Sequence, residues 1–178
     1  DVCYPLIAFN GDLLMFIGTN PSGQNLTVYI NSIVNSLLHR CAYYAIYDGR
    51  EMPWFNTIVS LTTYGDDAKG SVKEGYDEYN HIAMTEYFAE CDIVFTMPDK
   101  KSTPVPFMTD DSADYLKRHN RFDDELGMIV GMLDEDSIFK SLHSIHKPKY
   151  PNTAEIVAAG NIDGALREWF FYGPDHFE

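Results

Sequence analysis

The 178 residues are 45% apolar and include 12 Tyr and 11 Phe, enough for one domain-sized core and too aromatic for a disordered or low-complexity polypeptide. Against 27 acidic residues stand 13 basic ones, a formal net charge of −14. Taken alone this argues against a nucleic-acid binder, because phosphate neutralisation needs Lys and Arg, yet ten of the basic residues fall between Lys69 and Lys149.

The chain opens on Asp1 and stops at Glu178 within an aromatic-rich segment, as expected of a piece of a longer chain. Cys3, Cys41 and Cys91 are odd in number and widely spaced, which predicts buried thiols in a reduced intracellular protein. The apolar run Leu13 to Ile17 is too short to span a bilayer, and no secretory signal is visible. Residues 12–18 predict a strand, followed by the turn chemistry of Thr19 to Gly23. A long helix is predicted from Asn25 to Tyr47: Leu26, Ile30, Ile33, Leu37 and Cys41 recur at helical spacing, and Val34 and Leu38 widen that face. Gly49 and Pro53 end it.

Residues 55–64 are β-branched and aromatic and predict a strand. Gly65-Asp66-Asp67 is a tight-turn sequence, with Ala68 to Val72 returning as the second strand of a hairpin. A helix from Tyr79 to Glu90 and a strand from Asp92 to Met97 follow, then the polar loop Pro98 to Ser102. Residues 113–133 predict another hairpin around Arg121 to Leu126. Beyond Asp134 the pattern is helical, with Pro148 and Pro151 separating two blocks, and this composition shift marks the candidate boundary.

Four segments carry chemistry. Asp66-Asp67 follows an apolar strand through a turn-forming Gly, which lifts two carboxylates to a sheet rim where hard oxygen ligands can hold Mg²⁺. Asp110-Asp111 and Asp123-Asp124 lack such a strand, and a solvated acidic turn is the plainer reading of any such pair. Ser22 and Gly23 form a loop before the long helix, while Thr27 and Asn31, four apart, share a face and suit a ribose hydroxyl that both donates and accepts. The alternative is helix capping by Ser22 or Asn25, with Thr27 and Asn31 solvated. Lys100 or Lys101 can act as a general acid toward a departing pyrophosphate, or be a solvated pair. Tyr115-Leu116-Lys117-Arg118 sets two cations in a hairpin, either gripping a phosphate backbone or protecting a strand edge. His143 and His146 lack a further ligand at zinc spacing, no Gly-rich phosphate loop is present, and Cys91 has no adjacent His to make it a nucleophile.

In order and spacing these segments resemble the palm motifs of RNA-dependent RNA polymerases of positive-strand picorna-like viruses. Ser22-Gly23-x-x-x-Thr27-x-x-x-Asn31 is similar to motif B, Tyr64-Gly65-Asp66-Asp67 to motif C, Pro98 to Ser102 to motif D and Tyr115 to Arg118 to motif E. The stretches Leu133 to Leu142 and Asn161 to Phe170 resemble the marine and dicistrovirus-like branch.

The resemblance implies an α+β fold, a partial right-hand palm with an antiparallel sheet backed by helices. Residues 1–109 would be the later palm, 110–133 the palm-thumb hairpin and 134–178 the start of a helical thumb. It implies ribonucleotidyl transfer with two Mg²⁺ ions, replaceable by Mn²⁺, held by Asp66 with help from Asp67. Ser22 and Gly23 would lie beside template and nucleotide, Asn31 with Thr27 would check the 2′-hydroxyl, Lys100 would be the general acid, and Lys117 and Arg118 would hold the primer. The implied partners are RNA template and primer, ribonucleoside triphosphates and the rest of the polymerase, in a replication complex in the host-cell cytoplasm.

The family's motif A, a strand with a metal-binding Asp and a second Asp five residues on, and its basic fingers segment are not found here. Their absence accounts for the acidic charge and predicts an inactive isolated chain. A reverse transcriptase, or a non-catalytic acidic interaction module, are the alternative readings. Asn31 speaks against the former, because a DNA-making enzyme excludes the 2′-hydroxyl.

Overall fold

A computed structural model describes residues 4–23, 25–144, 153–173 and 176, and the chain divides into two compact units, Asp1–Pro106 and Phe107–Glu178. The first holds β1 (Leu6–Phe9), β2 (Asp12–Met15), α1 (Thr27–Ile46), α2 (Phe55–Ile58), β3 (Val59–Tyr64), β4 (Asp67–Val72) and α3 (His81–Glu90). The second holds β5 (Arg118–Asp123), β6 (Met128–Leu133), α4 (Glu135–His143), α5 (Ala154–Trp169) and a 3-10 turn, Phe170–Tyr172. The strands form three two-stranded sheets, β1-β2, β3-β4 and β5-β6, all antiparallel. Mixed helices and small antiparallel sheets match the α+β class expected. No described helix is long and apolar enough to cross a membrane.

The core of the first unit forms where α1 meets β3, α2 and α3 around Tyr43, which is fully buried. Its ring stands edge-on to Tyr47, Phe55 and Tyr79 at 5.3, 5.5 and 5.6 Å, the arrangement aromatic quadrupoles favour. Each buried phenol finds an acceptor: Tyr43 donates to the Pro53 carbonyl, Tyr47 to that of Tyr76 and Tyr79 to that of His39. The inward face of α1 thus runs through His39, Ala42 and Tyr43.

Of the stripe the sequence predicts, Leu38 packs against this core and Ile30 is half-buried, but the rest faces outward. Leu26, Ile33 and Leu37 are 55, 61 and 54% exposed, and Cys41 is exposed as well, against the expectation of buried thiols. Cys91 is also exposed, and Cys3 lies outside the described residues. Helical periodicity marks a face that can be covered; α1 has two such faces, and these neighbours cover the aromatic one.

Two further expectations shift. Residues 55–58 are helical, not extended: Thr57 returns both its N–H and its hydroxyl to the Trp54 carbonyl at 2.8 and 2.7 Å. This turn buries both Phe55 and Ile58, which lie on one side of a helix and on opposite faces of a strand. The predicted strand 92–97 has no ladder among the described residues, although Phe95 and Met97 lie inward and Val94 is 89% exposed. Alternation assigns its faces, whereas a strand also needs a partner. At the amino end β1 precedes the predicted strand and pairs with it, Phe9 opposite Asp12.

In the second unit Asp123 closes the β5-β6 hairpin, its carboxylate accepting from the N–H groups of Glu125 and Leu126 at 3.1 and 3.0 Å. α4 carries Glu135 and Asp136 in its first turn and Lys140 and His143 in its last, charges that complement the helix dipole. Thr153 caps α5 by accepting from the Ile156 N–H. Phe139 meets Trp169 edge-on at 5.5 Å. Pro148 and Pro151, expected to separate the helical blocks, and His146 lie outside the described residues.

Candidate active site

Tyr64 pairs with Asp67 across the β3-β4 ribbon, leaving Gly65 and Asp66 as the whole turn. Gly65 has φ 61° and Asp66 is not among the positive-φ residues, the type II′ pattern that places Gly first. A side chain at Gly65 would be strained by the backbone alone. Asp66 sits at the tip and Asp67 begins β4, and both are exposed at the end of the ribbon.

The polar side of α1 holds this turn. Asn35 Nδ2 lies 3.2 Å from the Gly65 carbonyl, 2.9 Å from that of Asp66 and 3.4 Å from that of Asp67. Ser32 Oγ accepts the Gly65 N–H at 2.8 Å and donates to the Val28 carbonyl at 2.7 Å. Thr63 donates to the Ser32 carbonyl at 3.0 Å. Ser32 and Asn35 are two of several polar residues along α1, so the sequence carries no signal that sets them apart, and their contacts depend on which way the helix turns.

One turn earlier the same helix ties down the loop before it. Thr27 donates to the Pro21 carbonyl at 2.7 Å, and Asn20 Nδ2 reaches Asn31 Oδ1 at 3.0 Å and the Thr27 carbonyl at 3.4 Å. The capping alternative fails: α1 begins after Leu26 with no side-chain cap. Ser22 and Gly23 are exposed, with Gly23 at φ 87°. Asn20 was not singled out in the sequence. It leaves Asn31 with its oxygen engaged, so the Nδ2 group is the one to offer a ligand.

Lys100 stands at the tip of the 98–102 loop with φ 60°. Asp99 builds that tip, its Oδ1 accepting from Ser102 N–H and hydroxyl at 3.0 and 2.8 Å and from Lys101 N–H at 3.1 Å. These bonds, those from Ser102 foremost, hold the Asp99 carboxyl below its ordinary range. Lys100 and Lys101 are both exposed.

In the second unit Leu116 and Lys117 form a turn with φ 55° and 61°, closed by reciprocal 3.0 Å bonds between Tyr115 and Arg118. Two successive non-glycine residues with positive φ are uncommon, and the turn presents Lys117 to solvent. Arg118 is engaged elsewhere. Its guanidinium meets Glu168 of α5 in a fork, at 2.9 and 2.7 Å, and donates to the Gly131 carbonyl at 2.8 Å. The Glu168 bonds raise the Arg118 pKa.

As a donor set for a hard divalent cation, Asp66 and Asp67 fit by type, being oxygen ligands only. By number they supply two carboxylates, and among the described residues no group of three or more His, Cys, Asp and Glu converges. Further ligands would be water, phosphate oxygens or residues outside this chain.

Residues 2–165 match the model of a family described as viral RNA-dependent RNA polymerase. The chain is similar to the RNA1 polyprotein of raspberry ringspot virus (strain cherry), 34% identical over 158 residues, which are 87% of this chain and 7% of the relative. It is 27% identical to the replicase polyprotein of Drosophila C virus (strain EB) over 176 residues, 96% of this chain and 10% of the relative. The replicase polyprotein of cricket paralysis virus is 26% identical over 183 residues, 99% of this chain and 10% of the relative. The chain therefore spans a tenth or less of the length of these relatives.

Proposed function

The chain belongs to the viral RNA-dependent RNA polymerase family, with relatives among picorna-like viruses, and from that premise we propose that it supplies the metal-holding turn and the sugar-reading helix of a right-hand polymerase palm. The family depends on divalent metal. Asp66 and Asp67 would hold it, and when bound the metal, as two Mg²⁺ or Mn²⁺ ions, neutralises charge on the attacking and departing oxygens. The reaction is template-directed: the primer 3′-hydroxyl gives up its proton to water as its oxygen bonds to the α-phosphorus of a ribonucleoside triphosphate, the bond from that phosphorus to the α,β-bridging oxygen breaks, and pyrophosphate leaves.

The chain's own residues divide the remaining work. Ser22 and Gly23 border template and incoming nucleotide, where an exposed glycine permits close backbone approach. Asn31 donates its amide N–H to the 2′-oxygen of the ribose, with its carbonyl end fixed by Asn20. Thr27 has spent its proton on Pro21, so its oxygen can only accept. Lys100 gives its proton to the departing pyrophosphate from the tip that Asp99 builds, with Lys101 next in line. Lys117 contacts the primer backbone, while Arg118 shapes that contact by locking β5 to α5. Residues 1–109 are then later palm, 110–133 the palm-thumb hairpin and 134–178 the early thumb, working in a cytoplasmic replication complex.

The observation carrying this reading is the type II′ turn that exposes two adjacent carboxylates at the end of a ribbon held to the motif B-like helix. Its test is single-nucleotide addition by the polymerase that carries this segment. Asp66→Ala should abolish addition with RNA binding retained, and near-parental addition would overturn the reading.

A further inference from the structure

A two-residue turn leaves the backbone groups of its central residues outside the strand ladder, and a buried or half-buried orphan must find a partner elsewhere. At Gly65 and Asp66 that partner is α1. Ser32 Oγ takes the Gly65 N–H, and Asn35 Nδ2 faces the Gly65 and Asp66 carbonyls at 3.2 and 2.9 Å. The directions are fixed at both ends. The Ser32 proton is committed to the Val28 carbonyl, so its oxygen can only accept, and an Asn amide is the side-chain end that can donate to two carbonyls at once. Both side chains meet backbone, which leaves the carboxylates of Asp66 and Asp67 outside the clamp and exposed.

We infer that Ser32 and Asn35 are positioning residues for the metal-holding carboxylates, clamping the turn to the helix that also carries Thr27 and Asn31. The inference rests on the metal role of Asp66 and deepens it. A hairpin tip pairs with nothing beyond its own ladder, and without the clamp it is free to pivot. With the clamp, the turn that holds the metal and the amide that reads the sugar, Asn31, are both fixed to the same rigid rod. Misplacement of reacting groups by about 1 Å costs on the order of a hundredfold in rate, so the clamp acts on the metal and on chemistry, not on nucleotide affinity.

The substitutions are Ser32→Ala, which leaves the Gly65 N–H without an acceptor, and Asn35→Asp, an isostere that turns acceptors toward carbonyls. Ser32→Thr restores the hydroxyl, since threonine in a helix can bond the carbonyl four residues back. All are made in the intact polymerase, with thermal midpoints recorded so that any variant that unfolds is set aside and the other decides. Three quantities are read: kcat and KM for single-nucleotide addition, the Mg²⁺ midpoint of that reaction, and Mn²⁺ binding by electron paramagnetic resonance without nucleotide.

Ser32→Ala and Asn35→Asp should lower kcat by about tenfold to a hundredfold, raise the Mg²⁺ midpoint and weaken Mn²⁺ binding, with KM near the parental value and Ser32→Thr close to wild type. An unchanged metal midpoint and unchanged Mn²⁺ affinity in folded Ser32→Ala and Asn35→Asp would overturn the inference. Asp66→Asn, run alongside, separates the two claims. Its activity at the parental rate would sink the metal reading itself, whereas an inactive Asp66→Asn beside clamp variants with parental metal behaviour would sink the clamp alone.

Discussion

Asn31 has a partner that changes what it can be asked to do. With Oδ1 accepting from Asn20, its Nδ2 group is oriented outward as a donor, which matches a 2′-hydroxyl oxygen. Asn31→Ala should therefore lower the ratio of ribonucleotide to deoxyribonucleotide efficiency, and Asn20→Ala should lower it by a smaller factor by letting the amide rotate. A ratio unchanged in both variants would return Asn31 to the solvated face of a helix. The Lys100 loop invites a similar comparison. General acids contribute about a hundredfold to ten-thousandfold, so Lys100→Leu should slow addition by roughly that range and Lys101→Leu by much less. The reverse ranking would move the proton to Lys101. Asp99 is held below its usual carboxyl range by the bonds from Ser102 and Lys101, so the loop should keep its shape as pH falls through that range and lose it only below. The Lys101 and Ser102 amide shifts followed by NMR would report this, and loss of the loop at the ordinary Asp titration would contradict it.

Helix α1 is where sequence and structure part most instructively. Its existence and approximate span were legible, as were the β3-β4 turn and the β5-β6 hairpin, because Gly65 and the Asp123 to Gly127 stretch carry their own turn chemistry. Its orientation was not legible. The inward face is built from His39, Ala42 and Tyr43, residues of mixed polarity whose burial depends on partners supplied by β3, α2 and α3. The same dependence hid Ser32 and Asn35 as turn-holding residues and Asn20 as the partner of Asn31. Strand 92–97 failed for the opposite reason, since the local alternation was right and no described strand pairs with it. His39 gives this packing a pH signature. It is 4% exposed, with Nδ1 3.0 Å from the Asn35 carbonyl, and burial holds its pKa below the usual histidine value, as burial also does for His81. The folded state then binds fewer protons than the unfolded state in the acidic range. Stability is full above the ordinary histidine pKa and falls as pH drops below it. Thermal midpoints from pH 8 to pH 5 should decline, and His39→Gln should flatten part of the decline. An equally steep profile in His39→Gln would place the dependence elsewhere.

At the scale of the whole chain, the net charge of −14 and the two-carboxylate turn point the same way. Two oxygen ligands leave a Mg²⁺ ion largely hydrated, and long-range repulsion opposes RNA approach most strongly at low salt. The exposed Leu26, Ile33 and Leu37 face of α1 adds an uncovered apolar surface. The 178 residues in isolation should therefore bind RNA and divalent metal weakly and show no templated primer extension. Extension by the isolated chain that Asp66→Ala abolishes would mean that its ligand set is richer than two carboxylates. What the sequence conveyed at this scale was the family, which the match over residues 2–165 shows. The division at Pro106 was not visible in composition. The most direct measurement is iron-mediated hydroxyl-radical cleavage of the intact polymerase, with Fe²⁺ replacing Mg²⁺ and RNA and nucleotide bound. The account predicts backbone cuts clustered around Tyr64 to Ala68, lost in Asp66→Ala and unchanged in Asp110→Ala. Cuts distributed equally between that turn and Asp110-Asp111 would contradict it.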